Sequence, residues 1–348
     1  MTGVLDQESM EARFREWLKG KFPAAEELIV APLQKSKGGF SNETYLFDLR
    51  IKERGRERLE KMVVRWEPQV YKAVQEYDLA KQYNVMKRLE STGVPVAKMY
   101  WLEEDRSILG SPFFVMQQVE GEVPPDRLRG EGLFYEATPA RRTQLWNRAE
   151  EVVAKIHGLD WKKAGFSFLG VPKGGTDAID QQIELYERLY NWTKRSPIPI
   201  LDTALSWLKE NRFEPDRLTL CWGDVRPSNM IYRDDQVVAV LDWEIAHIGD
   251  PIGDLAWFIV LEPFQGGTFG LAPLEGIPRE EAVVQYYEDL TGTRVNNLFY
   301  HKVFALLRIA CIVVQVSKNI EDAGLPGFPP HYDSNNPATQ MLAEMLSR

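Results

Sequence analysis

Apolar residues at Met10, Phe14, Trp17 and Leu18 repeat at helical spacing, so the chain opens on an amphipathic helix at about 6–20. In "LQKSKGGFSNETYLFDLRI" the pattern changes, and after Asn42 apolar and polar positions alternate as they do in strands. A charged hairpin tip, "KERGRERLE", leads into "KMVVRWEP", a short strand ended by Pro68. From Tyr71 to Glu90 the spacing is helical again, and Gly93 and Pro95 close that helix. "VAKMYWLEEDRSILGSPFFVMQQVEGEVPPD" predicts two or more strands before a boundary rich in glycine and proline.

After about Glu120 helices dominate. Leu145, Ala149, Val152, Val153 and Ile156 mark an amphipathic helix, and weaker patterns cover Ala178 to Lys194 and Thr203 to Asn211. "NMIY", "RDDQ" and "VVAVLD" interrupt them with a small hairpin. Helices resume near Glu280, one of them, expected to be buried, from about Phe299 to Asn319, and a last short helix ends the chain. This is an α+β outline: a small β-rich N-lobe at 1–118 and a larger, mainly helical C-lobe at 119–348. The chain crosses between them at Gln117–Glu122, where a ligand cleft is expected by default.

The 348 residues exceed the size at which one core usually keeps growing, which agrees with two lobes. A formal net charge of −9 argues against a nucleic-acid partner held through its phosphates. Cys221 and Cys311 are too few and too far apart for a disulfide framework or a CxxC metal pair, so a reducing, cytoplasmic setting is expected. "MTGVLDQESMEARF" has no apolar core of a signal peptide. The most apolar stretch, Val303 to Val316, contains Arg308 and is too short to span a bilayer, so it predicts a buried helix rather than a membrane contact. Nothing in the sequence indicates an oligomeric state.

The chemistry concentrates in "CWGDVRPSNMIY" (221–232) and "VVAVLDWEIAHIGDP" (237–251), where Asp224, Asn229 and Asp242 stand beside runs suited to burial. Carboxylates near a core are costly unless a metal, a partner charge or dense hydrogen bonding compensates them. Asp224 and Asn229 have the D-x-x-x-x-N spacing of a kinase catalytic loop. In that chemistry the carboxylate orients and accepts the proton of an attacking hydroxyl, while the neutral amide binds Mg²⁺ without adding negative charge. Asp242, just after the hairpin, supplies the second, charged metal ligand; phosphate and water oxygens complete such a shell.

With these residues the sequence resembles the aminoglycoside-phosphotransferase-like branch of the protein-kinase-like superfamily. It is most similar to the phosphotransferase group related to the kinase-like domain fused to some acyl-CoA dehydrogenases. The matching segments, in order, are "GGFSNETYLF", "MVVRWEP", "VQEYDLAKQYNVMKRL", "FFVMQQVEGEV", "VVAKIHGLDW", "CWGDVRPSNMIY" and "VLDWEIAHIGDPIGDLAW", spread from about Pro32 to Ser317. The resemblance implies a bilobal protein-kinase-like fold with Asp224 catalytic and Asn229 and Asp242 metal-binding. Trp222 occupies a position where the family often has histidine, which implies that a hydrogen bond from that ring is lost. Asp250 and Asp254 take structural roles, capping the next helix and tying down the loop.

For the nucleotide, "KGGFSNETY" suits a phosphate-covering hairpin: Gly38 and Gly39 allow a tight turn, and Ser41 and Asn42 could donate to phosphate oxygens. It is not a Walker A loop, since no Gly-Lys-Ser/Thr follows. A kinase-like fold needs a cation on its third strand and an acid on the next helix. The candidates are Arg65, in place of the usual lysine, and Glu76, with Glu67 and Asp78 as competitors. Met116, Gln117 and Val119 would present backbone to the adenine edge. His157 is expected to be structural, and His247, His301 and His331 are isolated in sequence.

These readings converge on an ATP- and Mg²⁺-dependent small-molecule kinase acting on a hydroxyl, with nucleotide and metabolite as its partners. A hydroxy acid or hydroxyacyl-CoA is the favoured acceptor, and Lys302 and Arg308 are placed to face its carboxylate or phosphate. The segment "LAWFIVLEPFQGGTFG" could line an acceptor pocket but reads first as helix core and loop. An aminoglycoside kinase and an inactive nucleotide-binding pseudokinase are the alternatives; Trp222 and Arg65 favour the latter.

Overall fold

The structure is a computed structural model, and it describes residues 7–36, 43–67, 78–322, 324, 329 and 331–347. Two compact units emerge: Met1–Ser91 with Val96–Glu120, and Thr92–Pro95 with Gly121–Arg348.

In the first unit, α1 (Gln7–Gly20) precedes β1 (Glu27–Val30), β2 (Gln34–Lys35), β3 (Glu43–Glu53) and β4 (Arg56–Trp66). There follow α2 (Leu79–Leu89), β5 (Met99–Glu103), the single-turn α3 (Arg106–Leu109) and β6 (Phe113–Gln117). The strands form an antiparallel sheet in the order β1-β3-β4-β6-β5, with β2 also on β3. The helical face read from the sequence of α1 packs on this sheet: Phe14 meets Phe47 edge-on, ring centroids 5.2 Å apart, within a core that includes Leu18, Leu49, Ile51, Val64 and Val115.

The charged hairpin tip is much smaller than its sequence suggests. Pairing runs from Glu43 with Trp66 to Glu53 with Arg56, so only Arg54 and Gly55 form the turn. Both have positive φ, +51° and +71°, the backbone of a two-residue turn whose twist matches paired strands. The charges of "RERLE" lie on a stretch of continuous ladder exposed on both faces. The helix expected over Tyr71–Glu90 is seen from Leu79, where the Asp78 side chain accepts from the Lys81 N–H (2.7 Å); residues 68–77, Pro68 among them, lie outside the described residues.

The second unit contains α4 (Gly132–Glu136), α5 (Pro139–His157), α6 (Asp177–Thr193), α7 (Pro199–Glu210), β7 (Thr219–Cys221), β8 (Met230–Arg233) and β9 (Gln236–Val240). It continues through β10 (His247–Gly249), α8 (Ile252–Thr268), α9 (Glu280–Thr291), α10 (Leu298–Asp322) and α11 (Pro337–Leu346). The apolar stretch noted in the sequence lies in α10, whose 25 residues are long and apolar enough to cross a membrane, yet 67% of its most apolar window is buried among α6, α7, α8 and α11. The small β elements matter most for function. β8 and β9 form a hairpin turned by Asp234 and Asp235, and β7 pairs with β10 so that Cys221 lies opposite His247. Both hold one irregular loop between β7 and β8.

Candidate functional site

Trp222, Gly223 and Asp224 follow β7, and Pro227–Asn229 make one turn of 3₁₀ helix before β8. Gly223 has φ +91°, and a Cβ there would lie 2.8 Å from the Ile245 carbonyl oxygen, so glycine alone fits. The loop is gripped from below. Asp254, in the first turn of α8, accepts the N–H groups of Trp222 (Oδ2, 2.6 Å) and Gly223 (Oδ1, 2.8 Å). His157 Nε2 lies 3.2 Å from Asp254 Oδ2, and its Nδ1 is 2.8 Å from the Tyr287 hydroxyl. Burial alone would raise the carboxyl of Asp254, but the hydrogen bond and charge of His157, the charge of His247 and the Trp222 N–H hold it below its ordinary value. Asp250 accepts the Ile252 N–H at 3.0 Å and pairs with His301 Nε2 at 3.0 Å. Asp250 therefore caps α8, while Asp254 ties down the loop.

Each oxygen of Asp224 has a designated neighbour. Asn229 Nδ2 donates to Oδ2 at 2.7 Å, and Trp257 Nε1 donates to Oδ1 at 3.1 Å. Arg226 Nε approaches Oδ2 at 3.2 Å, and its Nη1 donates to Asp126, which also accepts from Ser228 (2.5 Å). Burial works against the charge of Arg226, but Asp224, Asp126, Asp242 and Glu244 together raise its pKa further. An acidic cluster thus surrounds one fixed cation.

Asn229, 3% exposed, directs its amide nitrogen to both the carbonyl and the side chain of Asp224, and its Oδ1 accepts no hydrogen bond from the described residues. Its carbonyl accepts the Leu241 N–H at 2.8 Å, which brings the residue before Asp242 alongside. The Trp222 indole donates to the carbonyls of Leu241 (2.9 Å) and Asp242 (3.1 Å). The ring expected to lose a hydrogen bond therefore makes two, and they tie the loop after β7 to the end of the β8–β9 hairpin. Asp242 itself has φ +54°, a left-handed backbone uncommon outside glycine and enriched at functional sites. Asn229 and Asp242 offer an amide oxygen and a carboxylate, hard oxygen donors of the kind Mg²⁺ takes, so their donor chemistry suits the ion.

The residues expected at the nucleotide end belong to the first unit. Arg65 lies in β4, 7% exposed, opposite Thr44 and Phe114. Glu67 is approached by Arg106 (3.4 Å) and Asp78 caps α2, so both competitors of Glu76 are engaged structurally. Gln117 closes β6, its N–H on the Lys98 carbonyl, and Val119 follows it. Gly38, Gly39, Ser41, Asn42 and Glu76 lie outside the described residues.

Lys302 is paired with Glu280 at 2.6 Å. Arg308 is 4% exposed and donates to the Gly223 carbonyl at 2.7 Å. His157 is structural, as its sequence context suggests, although folding brings it, Cys221 and Asp254 to within 4.8 Å of one another. Both oxygens of Asp254 are already engaged, and burial raises the Cys221 thiol far above its ordinary value, so a hydrogen-bond network accounts for the cluster. Asp126, Arg226 and Trp257 were missed by sequence reasoning. Trp257 had a usable signal: it is three residues after Asp254, the spacing that puts two side chains on one helix face.

The model of a phosphotransferase enzyme family matches residues 33–287. The fold and that match define a protein of the kinase-like phosphotransferase class. The chain belongs to the phosphotransferase enzyme family. Curated relatives include acyl-CoA dehydrogenase family member 10 of Mus musculus (29% identical, 80% of this chain, 26% of the relative). Member 11 of Homo sapiens is 28% identical over 81% of this chain and 35% of its own length. The chain thus spans about a quarter to a third of the relatives it matches. Among solved structures, a putative aminoglycoside phosphotransferase from Ralstonia eutropha is 26% identical with a TM-score of 0.70, covering 98% of both chains. Choline kinase LicA from Streptococcus pneumoniae shares the fold at 16% identity and TM-score 0.55, covering 95% of this chain and 98% of its own. An aminoglycoside phosphotransferase crystallised with AMP-PNP and hygromycin B does so at 15% and 0.55, covering 95% and 97%.

Proposed function

We propose that this protein is an ATP- and Mg²⁺-dependent small-molecule kinase that transfers the γ-phosphate to a metabolite hydroxyl. The observation that carries this reading is Asn229, whose side-chain nitrogen donates to Asp224 while its oxygen accepts nothing among the described residues, and whose main-chain carbonyl takes the N–H of Leu241, the neighbour of Asp242. Asp224 orients the acceptor hydroxyl and takes its proton, and Asn229 and Asp242 hold the ion. When bound, Mg²⁺ neutralises charge on the phosphates. Phosphoryl transfer asks mainly for positioning and charge stabilisation, which this set of residues supplies. For the nucleotide, Arg65 is assigned to the α/β phosphates with Glu76 as its acid partner. Gly38, Gly39, Ser41 and Asn42 are assigned to the covering hairpin, and Gln117 and Val119 to the adenine edge.

A hydroxy acid or hydroxyacyl-CoA is the acceptor we favour. The support is that the curated relatives are named as acyl-CoA dehydrogenase family members. Hygromycin B in a fold neighbour keeps an aminoglycoside acceptor as the second reading. Trp222 no longer favours the pseudokinase reading, because its indole makes two hydrogen bonds.

The test is a mass-spectrometric screen of hydroxylated metabolites, hydroxyacyl-CoAs and aminoglycosides incubated with ATP, Mg²⁺ and the protein. The expected result is an acceptor that gains one phosphate with wild type and not with Asp224→Ala. Nucleotide binding with no phosphorylated product across the panel would return the assignment to a binding protein.

A further inference from the structure

The C-lobe buries a cation for which the phosphoryl-transfer scheme gives no use. Arg308, on α10, is 4% exposed, and no carboxylate among the described residues comes within ion-pair distance of it. Its guanidinium carbon lies 4.2 Å from the ring centroid of Trp257 and 5.0 Å from that of Tyr186, so the cation sits between two aromatic faces. Among the described residues its one hydrogen bond goes to the carbonyl of Gly223, at 2.7 Å. A buried charge without a counter-charge is expensive, and an apolar side chain would fill the same space without that cost. Packing alone therefore does not explain an arginine at this position.

Its two contacts converge on Asp224. The Gly223 carbonyl belongs to the peptide immediately before Asp224, and the Trp257 indole donates to Asp224 Oδ1 at 3.1 Å. Oδ2 is held separately, by Asn229 at 2.7 Å. Two donors on different oxygens, one from the loop and one from α8, fix the rotation of the carboxylate about its Cβ–Cγ bond. A cation against the indole face is attracted by the ring's negative quadrupole and polarises the ring N–H toward its acceptor.

We propose that Trp257 and Arg308 are positioning residues for phosphoryl transfer. Trp257 sets the orientation of the Asp224 carboxylate, and Arg308 holds the indole and the Gly223 peptide in the register that orientation requires. This inference rests on the reading of Asp224 as the group that activates the hydroxyl.

The test uses the full chain with MgATP and water as the acceptor, read as phosphate release, beside the indole N–H spectrum of ¹⁵N-tryptophan-labelled protein, which has ten tryptophans. Water carries no anionic group, so a loss in this assay cannot come from a missing contact between Arg308 and an acceptor. Trp257→Phe keeps a ring against Arg308 and removes only the donor. It is expected to lower kcat about ten- to a hundredfold with KM for MgATP within about twofold, the pattern of a group that acts at the transition state. Arg308→Lys keeps the charge and loses the planar stack, with about a tenfold fall expected. The double variant should be no more than about twofold worse than Trp257→Phe, because both act through one indole. In the spectrum, the resonance absent from Trp257→Phe should move in Asp224→Ala and again in Arg308→Lys.

Affinity for MgADP identifies variants that have kept their fold, and Arg308→Gln stands in if Arg308→Lys has not. Unchanged kcat in both single variants, multiplying effects in the double variant, or an indole resonance indifferent to Asp224→Ala each overturns the proposal. If Asp224→Ala turns over like wild type while the resonance still moves, the reading of Asp224 fails and the contact survives. The spectrum requires no turnover and decides the contact by itself.

Discussion

The backbone N–H of Trp222 ends on Asp254 Oδ2 across 2.6 Å, and the Gly223 N–H ends on the other oxygen of the same carboxylate. One buried side chain of α8 thus satisfies two successive amides of an irregular loop, which has no ladder to receive them.

Removing that carboxylate leaves two buried donors and His157 without their acceptor. Asp254→Ala is expected to cost about 3 kcal/mol or more of stability and to weaken turnover through the loop. Denaturant unfolding followed by tryptophan fluorescence measures the first effect. A loss under about 1 kcal/mol would mean that the loop keeps its shape without this anchor.

Trp222 joins the loop to the carbonyls of Leu241 and Asp242 through one indole N–H. Trp222→Phe keeps most of the volume and removes the donor, so about 1–2 kcal/mol of stability should be lost. The variant should also need more Mg²⁺ for half-maximal activity, because Asp242 is no longer held in register. A magnesium titration at saturating ATP checks this; an unshifted midpoint would separate the indole from the metal pair.

Asp242 and Asn229 are assigned different contributions to one ion. Asp242→Asn removes the charge and should weaken Mg²⁺-dependent ATP binding about tenfold or more. Asn229→Asp keeps an oxygen but sets a second anion against Asp224 Oδ2, where an amide now donates. That variant should bind Mg²⁺ and lose turnover by about a hundredfold, since Asp224 Oδ2 exchanges an amide donor for a like charge. Calorimetric Mg²⁺ and nucleotide titrations beside initial rates distinguish the two.

Glu150, on α5, is 1% exposed, and burial, opposed by the Tyr287 backbone, pushes its carboxyl from 4.5 up to about 8. Between those values the folded protein keeps a proton that the unfolded chain has released. Stability therefore falls as pH rises from 4.5 toward 8, with a slope of up to about 1.4 kcal/mol per pH unit from this group. Asp254 has the opposite sign: its depressed value adds stability above the ordinary aspartate range, lost as the pH falls through the folded value. Glu150→Gln should flatten the decline from pH 6 to pH 8 by about 2 kcal/mol, read from chemical denaturation at the two pH values. Parallel curves for variant and wild type would show that the Glu150 carboxyl titrates near its ordinary value.

Periodicity located the elements whose stability comes from one apolar face. Phe14 and Leu18 of α1 and Leu145, Ala149, Val153 and Ile156 of α5 occur at the spacing that burial requires, and all are buried. Elements that depend on single hydrogen bonds were less legible. Arg54–Gly55 is the whole turn of a long hairpin because two positive φ values close it, while the charges around it suggested a wider tip. The three-residue strands β7 and β10 have no pattern long enough to read.

The site divides along the same line. By itself, the sequence determined that Asp224, Asn229 and Asp242 share a kinase-like loop and hairpin, because their spacing is local and chain geometry limits where neighbours can go. Only tertiary structure decided what holds them. Asp254 is 30 residues or more from the amides it accepts, Trp257 is 33 from Asp224, and Arg308 is 85 from the Gly223 carbonyl. Contacts of that separation are selected by how α8 and α10 pack against the loop, and helix packing depends on the shapes of whole faces rather than on any short string of residues.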